Sequence, residues 1–180
     1  MAGRYCRLEP LDVERHAAAL FGAFAAVPDA RDWTYLFADW PADVAAYREY
    51  LTTAAASDEP RHWAFVDLER QAPVGTVALM RSVPAHGVIE VGGVTYSRQP
   101  QKSRAGTEVM YLLMCRAFDE LGYRRFEWKC DSLNAPSIAA AGRYGFQFEG
   151  IFRQAIVYKG RSRDTAWFSI IDREWPRVRA

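Results

Sequence analysis

The spacing of apolar and polar residues divides the chain into helical and extended stretches, with no linker, repeat or low-complexity segment between them. Tyr5 to Leu8 reads as a short strand. Asp12 is placed to cap an alanine-rich helix running to about Ala26, and Pro28 breaks it. Asp32-Trp33-Thr34-Tyr35-Leu36-Phe37 is dense in aromatics and ends at Trp40-Pro41, and Asp43 starts a second helix to about Ala56. After a turn at Ser57 to Pro60 come three extended runs, His62 to Leu68, Val74 to Val83 and Val88 to Tyr96, separated by polar turns at Glu69 to Pro73 and at Pro84 to Gly87. They predict an antiparallel meander. Gly92-Gly93 interrupts the third run, which predicts a bulge or a close backbone approach by a ligand.

The second half continues with a helix from about Thr107 to Leu121. It is apolar without a break over Val109 to Cys115 and stops at Gly122. Phe126, Trp128 and Cys130 alternate with Glu127 and Lys129, a half-buried strand pattern. A helix follows from Asn134 to about Tyr144, with Pro136 in its first turn and Gly145 closing it. Phe146 to Tyr158 and Thr165 to Ile171 form a hairpin around Lys159-Gly160-Arg161. The alternation of elements predicts one α/β (α+β) domain over residues 1–180, a mixed sheet with helices on its faces.

Composition excludes more than it selects. Half of the 180 residues are hydrophobic, enough for a sizeable core. No apolar run is long enough to span a bilayer, and Met1 to Pro10 lacks the basic-then-apolar order of a signal peptide, so a soluble, cytoplasmic protein without a membrane partner is expected. Cys6, Cys115 and Cys130 are odd in number with no Cys-x-x-Cys pair and read as reduced thiols. His16, His62 and His86 show no ligand spacing, so no metal is expected. Residues 1–97 carry 8 basic and 13 acidic side chains and residues 98–180 carry 15 and 9. That split fits an anionic cofactor held by the second half and a cationic acceptor drawn to the first, or equally surface scatter. No continuous basic stripe supports a nucleic-acid partner.

The chemistry concentrates in Gln101-Lys102-Ser103-Arg104-Ala105-Gly106-Thr107-Glu108, a basic loop feeding a helix start. The first N–H groups of a helix have no internal partner and the dipole favours an anion there, so such a loop can hold a phosphorylated cofactor.

This loop and element order resemble the GNAT superfamily of acyl-CoA-dependent N-acetyltransferases over essentially the whole chain. Gln101 to Gly106 lies where that family carries its Gln/Arg-x-x-Gly-x-Gly/Ala loop. Asn134-Ala135-Pro136-Ser137, Gly145-Phe146, Phe148-Glu149-Gly150, Lys159-Gly160-Arg161 and Arg163-Asp164-Thr165 resemble the branch that acetylates ribosomal-protein N-termini. The resemblance implies a mostly antiparallel sheet of about six to seven strands and acetyl-CoA as cosubstrate. It also implies site roles. The backbone of Val94 and Tyr96 would pair with the pantetheine arm. Gln101, Lys102 and the amides of Arg104, Ala105, Gly106 and Thr107 would hold the pyrophosphate. Asn134 would bond the thiol-side arm, with Ser137 near the sulfur. Two positions depart from the pattern: Arg104 stands where the loop has its first Gly, and Ala141 stands where many members place a Tyr.

Acetyl transfer needs a neutral amine, a path for its proton and donors for the carbonyl oxygen. Glu90 is the first choice as base, acting through water, against a plain solvent-facing strand residue; Asp131 is second, against a turn residue. Ser137 as proton donor competes with Ser137 as a first-turn residue. The N–H of Val94 is the natural oxyanion donor if the strand splays there. Trp33, Tyr35, Phe37 and Trp40 line an acceptor pocket or pack the core. Arg153, Arg161 and Arg163 bind an acidic group or form a solvated hairpin. The expectation is an acetyl-CoA-dependent N-acetyltransferase acting on a primary amine (a small molecule or a protein N-terminus) by direct transfer in a ternary complex. The rival is a non-catalytic acyl-CoA-binding sensor. The exposed hairpin edge makes a homodimer plausible.

Overall fold

The computed structural model describes residues 1–26 and 30–180, and the expected break at Pro28 lies outside them. Seven strands form one open sheet: β1 (Cys6–Pro10), β2 (Arg61–Asp67), β3 (Ala72–Val83), β4 (Val88–Tyr96), β5 (Arg125–Asp131), β6 (Gln147–Tyr158) and β7 (Arg161–Ile171), in the spatial order β1-β2-β3-β4-β5-β7-β6. Only β4 and β5 pair in parallel. That follows from the helical crossover between them, since a parallel neighbour cannot be reached by a tight turn. The helices are α1 (Val13–Ala25), α2 (Val44–Ala55), α3 (Arg104–Cys115), α4 (Ala135–Arg143) and α5 (Trp175–Arg179). Among the described residues no helix is long and apolar enough to cross a membrane.

The predicted caps are present. Asp12 accepts from the Arg15 amide, Asp43 from that of Ala46 and Asn134 from that of Ser137. Strand alternation sends side chains to two cores. Phe65, Val77, Val91, Phe126, Trp128 and Ile170 meet Val109, Met110 and Leu113 of α3, while Ala64 meets Leu20, Phe24, Tyr47 and Leu51 of α1 and α2. Trp33 and Trp40 join this second core, edge to face with each other at 5.4 Å.

Three expectations are corrected. Helix α3 starts at Arg104 rather than Thr107, because Ser103 caps it by accepting from the Gly106 amide at 3.0 Å; its last part, Arg116–Glu120, is a wider π turn. The closing hairpin turns in two residues, with Tyr158 paired to Arg161 and both Lys159 and Gly160 at positive φ, the twist a tight hairpin prefers. Strand β5 is covered on both faces: Glu127 is buried and the Lys129 side chain is only 6% exposed, for a reason given below.

The chain's start is pinned to α3 by one side chain. The Glu108 carboxylate accepts the backbone N–H groups of Arg4, Tyr5 and Cys6 at 2.8, 2.7 and 2.9 Å. Burial pushes its pKa up, but these three donors outweigh it and hold the group below its usual value of 4.5. A depressed carboxylate stabilises the fold above the unfolded pKa and ceases to do so as pH falls through the folded one. Glu108→Gln is therefore expected to lose about 1–3 kcal/mol at pH 7, and the gap to the parent should narrow below about pH 4; denaturant melts across pH measure both.

Candidate active site

The central feature is a parting of strands. The β4–β5 ladder runs from Val88↔Arg125 to Val91↔Trp128 and ends there, although both strands continue. The cause lies in β4. Between the pairs Ala78↔Gly92 and Thr76↔Thr95, three steps of β4 face two of β3, so β4 bulges at Gly93, which sits at φ +57°. The Gly92-Gly93 pair is thus the bulge read from sequence. Val94 and Tyr96 lie on β4 beyond the parting.

At the α3 end, Tyr5, Lys102, Ser103, Arg104, Thr107 and Tyr111 line an open cleft of about 450 Å³, together with Glu108, whose carboxylate is taken up by the amides of Arg4, Tyr5 and Cys6. The amide of Gly106 is bonded to the Ser103 hydroxyl and that of Thr107 to the Ser103 carbonyl at 3.1 Å. Of the four amides expected to face a pyrophosphate, those of Arg104 and Ala105 take no partner among the described residues. Lys102, at φ +58°, turns the chain into the helix, and Gln101 donates to the Tyr96 carbonyl at 3.4 Å, tying loop to strand. The Arg104 guanidinium lies 5.9 Å from the centre of the Tyr5 ring. Two open amides, the helix dipole and two exposed cations fit a phosphate ester.

On the other side of the parting, just beyond the end of β5, Asn134 is the N-cap of α4. The Ser137 hydroxyl accepts from Trp128 Nε1 at 3.0 Å and keeps its own proton to donate. The Tyr144 hydroxyl reaches the Gly106 carbonyl at 3.5 Å, so it stands at the start of α3.

Glu90 lies on the α1/α2 side of the sheet and is buried. Its Oε2 accepts from Lys129 Nζ at 2.6 Å and from Arg81 Nη1 at 3.2 Å. Lys129 also reaches Glu127 at 2.7 Å and sits 3.8 Å above the Trp167 ring, and Arg125 joins Glu127 to Glu149. This ionic chain explains the two-sided burial of β5, because charges of both signs satisfy one another under cover. Asp131 accepts from the Tyr158 hydroxyl at 2.8 Å, from Arg161 and from the Leu133 amide. Despite burial, those donors hold it below its ordinary pKa, the state of a structural carboxylate. Burial raises the Cys130 and Cys115 thiols, leaving them protonated and poor nucleophiles. Among the described residues no group of His, Cys, Asp and Glu could hold a metal ion.

Sequence reasoning passed over His62. It pairs with Ala78, which pairs with Gly92, and a side chain added at Gly93 would meet His62 Cε1 at 3.3 Å. The imidazole therefore stands beside the bulge. Burial lowers its pKa, so it is neutral at pH 7 and can accept a proton, and its ring nitrogens have no partner among the described residues. Only strand register reveals this. The aromatic segment divides: Trp33 and Trp40 are core, the Tyr35 hydroxyl donates to the Leu133 carbonyl at 2.8 Å, and Phe37, 70% exposed, lies against Tyr158.

A profile described as an Acetyltransferase (GNAT) domain matches residues 6–147. The chain belongs to the GNAT acetyltransferase family. A GCN5-related N-acetyltransferase from Brucella melitensis is 47% identical with a TM-score of 0.96, covering 99% of this chain and 80% of its own. A GNAT-family structure from Chromobacterium violaceum is 43% identical with a TM-score of 0.89, covering 97% and 87%. A Vibrio cholerae protein proposed as a ribosomal-protein-serine acetyltransferase is 20% identical with a TM-score of 0.79 over 94% and 95%, a likeness of fold. No functionally curated protein matches. GNAT acetyltransferases use acetyl-CoA as cosubstrate, and this GNAT fold supports acyl transfer from it.

Proposed function

We propose that this GNAT protein transfers the acetyl group of acetyl-CoA to a primary amine by direct attack in a ternary complex. The observation that carries the reading is the parting of β4 from β5 beside the Gly93 bulge, together with the open amides at the start of α3. Acetyl-CoA supplies an activated thioester acyl group. Lys102, Arg104 and the Arg104 and Ala105 amides hold its phosphates, with Gln101, Gly106 and Thr107 shaping the turn. The backbone of Val94 and Tyr96 lines the pantetheine arm, and the Val94 N–H faces the developing oxyanion. Asn134 orients the arm and Ser137 supplies a proton to the departing sulfur. The buried thiols leave no covalent acyl carrier, which favours a single transfer step.

Two groups compete to take the amine proton. Glu90 has both ion pairs on Oε2, and Oε1 takes no hydrogen bond from a described residue, so it can act through water. His62 is favoured by its unpartnered ring and its place beside the bulge. If His62 is the base, Glu90→Gln keeps the parent's pH profile and His62→Gln removes the limb that falls below neutral pH. The reverse pattern in kcat/KM against pH assigns the role to Glu90. Calorimetric titration with acetyl-CoA, with dephospho-CoA as control, tests the reading as a whole. One-to-one binding without turnover on any amine would leave a non-catalytic acyl-CoA sensor, and absence of binding would overturn both.

A further inference from the structure

Arg163 on β7 is only 8% exposed. Among the described residues its side chain makes no ion pair and no hydrogen bond, and its Nε is buried without a partner. The faces around it are aromatic: its guanidinium carbon lies 5.8 Å from the ring centres of both Phe37 and Tyr158. The nearby carboxylates are engaged elsewhere, Asp131 with Tyr158 and Arg161, and Asp164 with the Gln154 amide at 2.7 Å. An arginine this deeply set, with Nε buried and unpaired and no carboxylate beside its charge, is unfavourable for folding, so its presence asks for a ligand.

A second orphan donor points the same way. Trp167 Nε1 is also buried without a partner. Arg163, Thr165 and Trp167 alternate onto one face of β7, the face that Lys129 of β5 shares, since Lys129 pairs with Trp167 and Asp131 with Thr165. The strip therefore flanks the C-terminal end of β5, where β4 has parted from it. It offers two buried donors, one of them cationic, without an acceptor.

We infer that Arg163 is the anchor for a carboxylate on the amine acceptor, so that the acceptor is an amino acid or an acidic peptide rather than a polyamine. The guanidinium fork matches a carboxylate in two hydrogen bonds, and the Phe37 and Tyr158 rings beside it favour a cation there without competing for its N–H groups. This inference rests on the acetyltransferase reading above and adds the substrate class.

The test uses matched amines with acetyl-CoA. One pair is phenylalanine and phenylethylamine. The other is two C-terminally amidated tripeptides, Ser-Glu-Ala and Ser-Gln-Ala, so that a free α-carboxylate and a side-chain carboxylate are read separately. Spermidine serves as the cationic control. The carboxylate member of at least one pair should have kcat/KM higher by at least ~10-fold. Arg163→Met keeps the stem packed and should erase that preference through KM, leave acetyl-CoA affinity in place and raise Tm, because an unpaired charge has left the interior. Arg163→Lys should restore part of the preference. Equal use of the uncharged partners, preferred use of spermidine, or a preference that survives Arg163→Met overturns the inference, as does a lower Tm with unchanged KM, the sign of a structural arginine. Should none of these amines be acetylated, glutamate and Ser-Glu-Ala amide are titrated into the acetyl-CoA complex. Failure of both to bind overturns the carboxylate anchor and spares the cofactor reading, whereas failure of acetyl-CoA itself to bind removes both.

Discussion

Lys129→Met is expected to destabilise the protein by about 3–5 kcal/mol, the range for removing one partner from a buried ionic group. Lys129 and Glu90 are each 6% exposed in their side chains and Glu127 is 9% exposed. Without the ammonium, Arg81 still reaches Glu90 and Arg125 still reaches Glu127, but both cations are more exposed and neither bridges the two carboxylates. The loss should also change with pH in a defined direction. In the parent, burial raises the pKa of Glu127, and its bonds to Lys129 and Arg125 more than reverse that. In the variant the Lys129 contribution is gone while burial remains, so the Glu127 pKa rises from its value in the parent. A carboxyl with a higher folded pKa contributes less stability as pH rises and it ionises, so the gap to the parent should widen from about pH 4 to pH 7. Denaturant melts at several pH values check this. A variant that also carries Glu90→Gln should recover part of the loss, because one buried charge is gone.

Gly106→Val is expected to weaken acetyl-CoA binding by about 100-fold or more, roughly 3 kcal/mol. The reason differs from the one the loop suggests. A β-carbon at Gly106 would lie 2.6 Å from the Pro100 carbonyl oxygen, a backbone atom that cannot swing aside, and 3.6 Å from the Ser103 hydroxyl that caps the helix. The glycine therefore lets the loop fold back on the first turn of α3, and its replacement displaces the turn that presents the Arg104 and Ala105 amides. Gly142→Ala in α4 is the control. A β-carbon there meets nothing within 4 Å, so the helix should gain about 0.5–1 kcal/mol with acetyl-CoA affinity unchanged. Unchanged affinity in Gly106→Val would place the pyrophosphate elsewhere.

The elements were legible because their signals are local. Asp12, Asp43 and Asn134 announce helix starts through their own side chains, and Gly122 and Lys159-Gly160 announce reversals through positive φ. The Gly92-Gly93 bulge was legible for the same reason. The start of α3 lies three residues before the expected Thr107, because the Ser103 hydroxyl meets the Gly106 amide and caps the helix there, a contact the apolar pattern does not signal. The polarity of β5 misled as well. Glu127 and Lys129 alternate with apolar neighbours as solvent-facing residues do, and nothing in the strand itself says that Glu90, from another strand, waits beside them.

Local periodicity, caps and turn chemistry thus determined the order of elements, the mixed sheet and the helix-start loop that suits a phosphate ester. These depend on residues within a few positions of one another. Tertiary structure alone decided which side chains share a space. It set His62 beside Gly93 across two strands, gave Glu90 to Lys129, divided the aromatic segment between core and surface, and left Arg163 with a buried, unpaired Nε near Phe37 and Tyr158. Each of those outcomes turns on strand register and on loop closure over long separations. A one-residue shift in register would reverse every facing side chain, and no short-range signal in the chain encodes it.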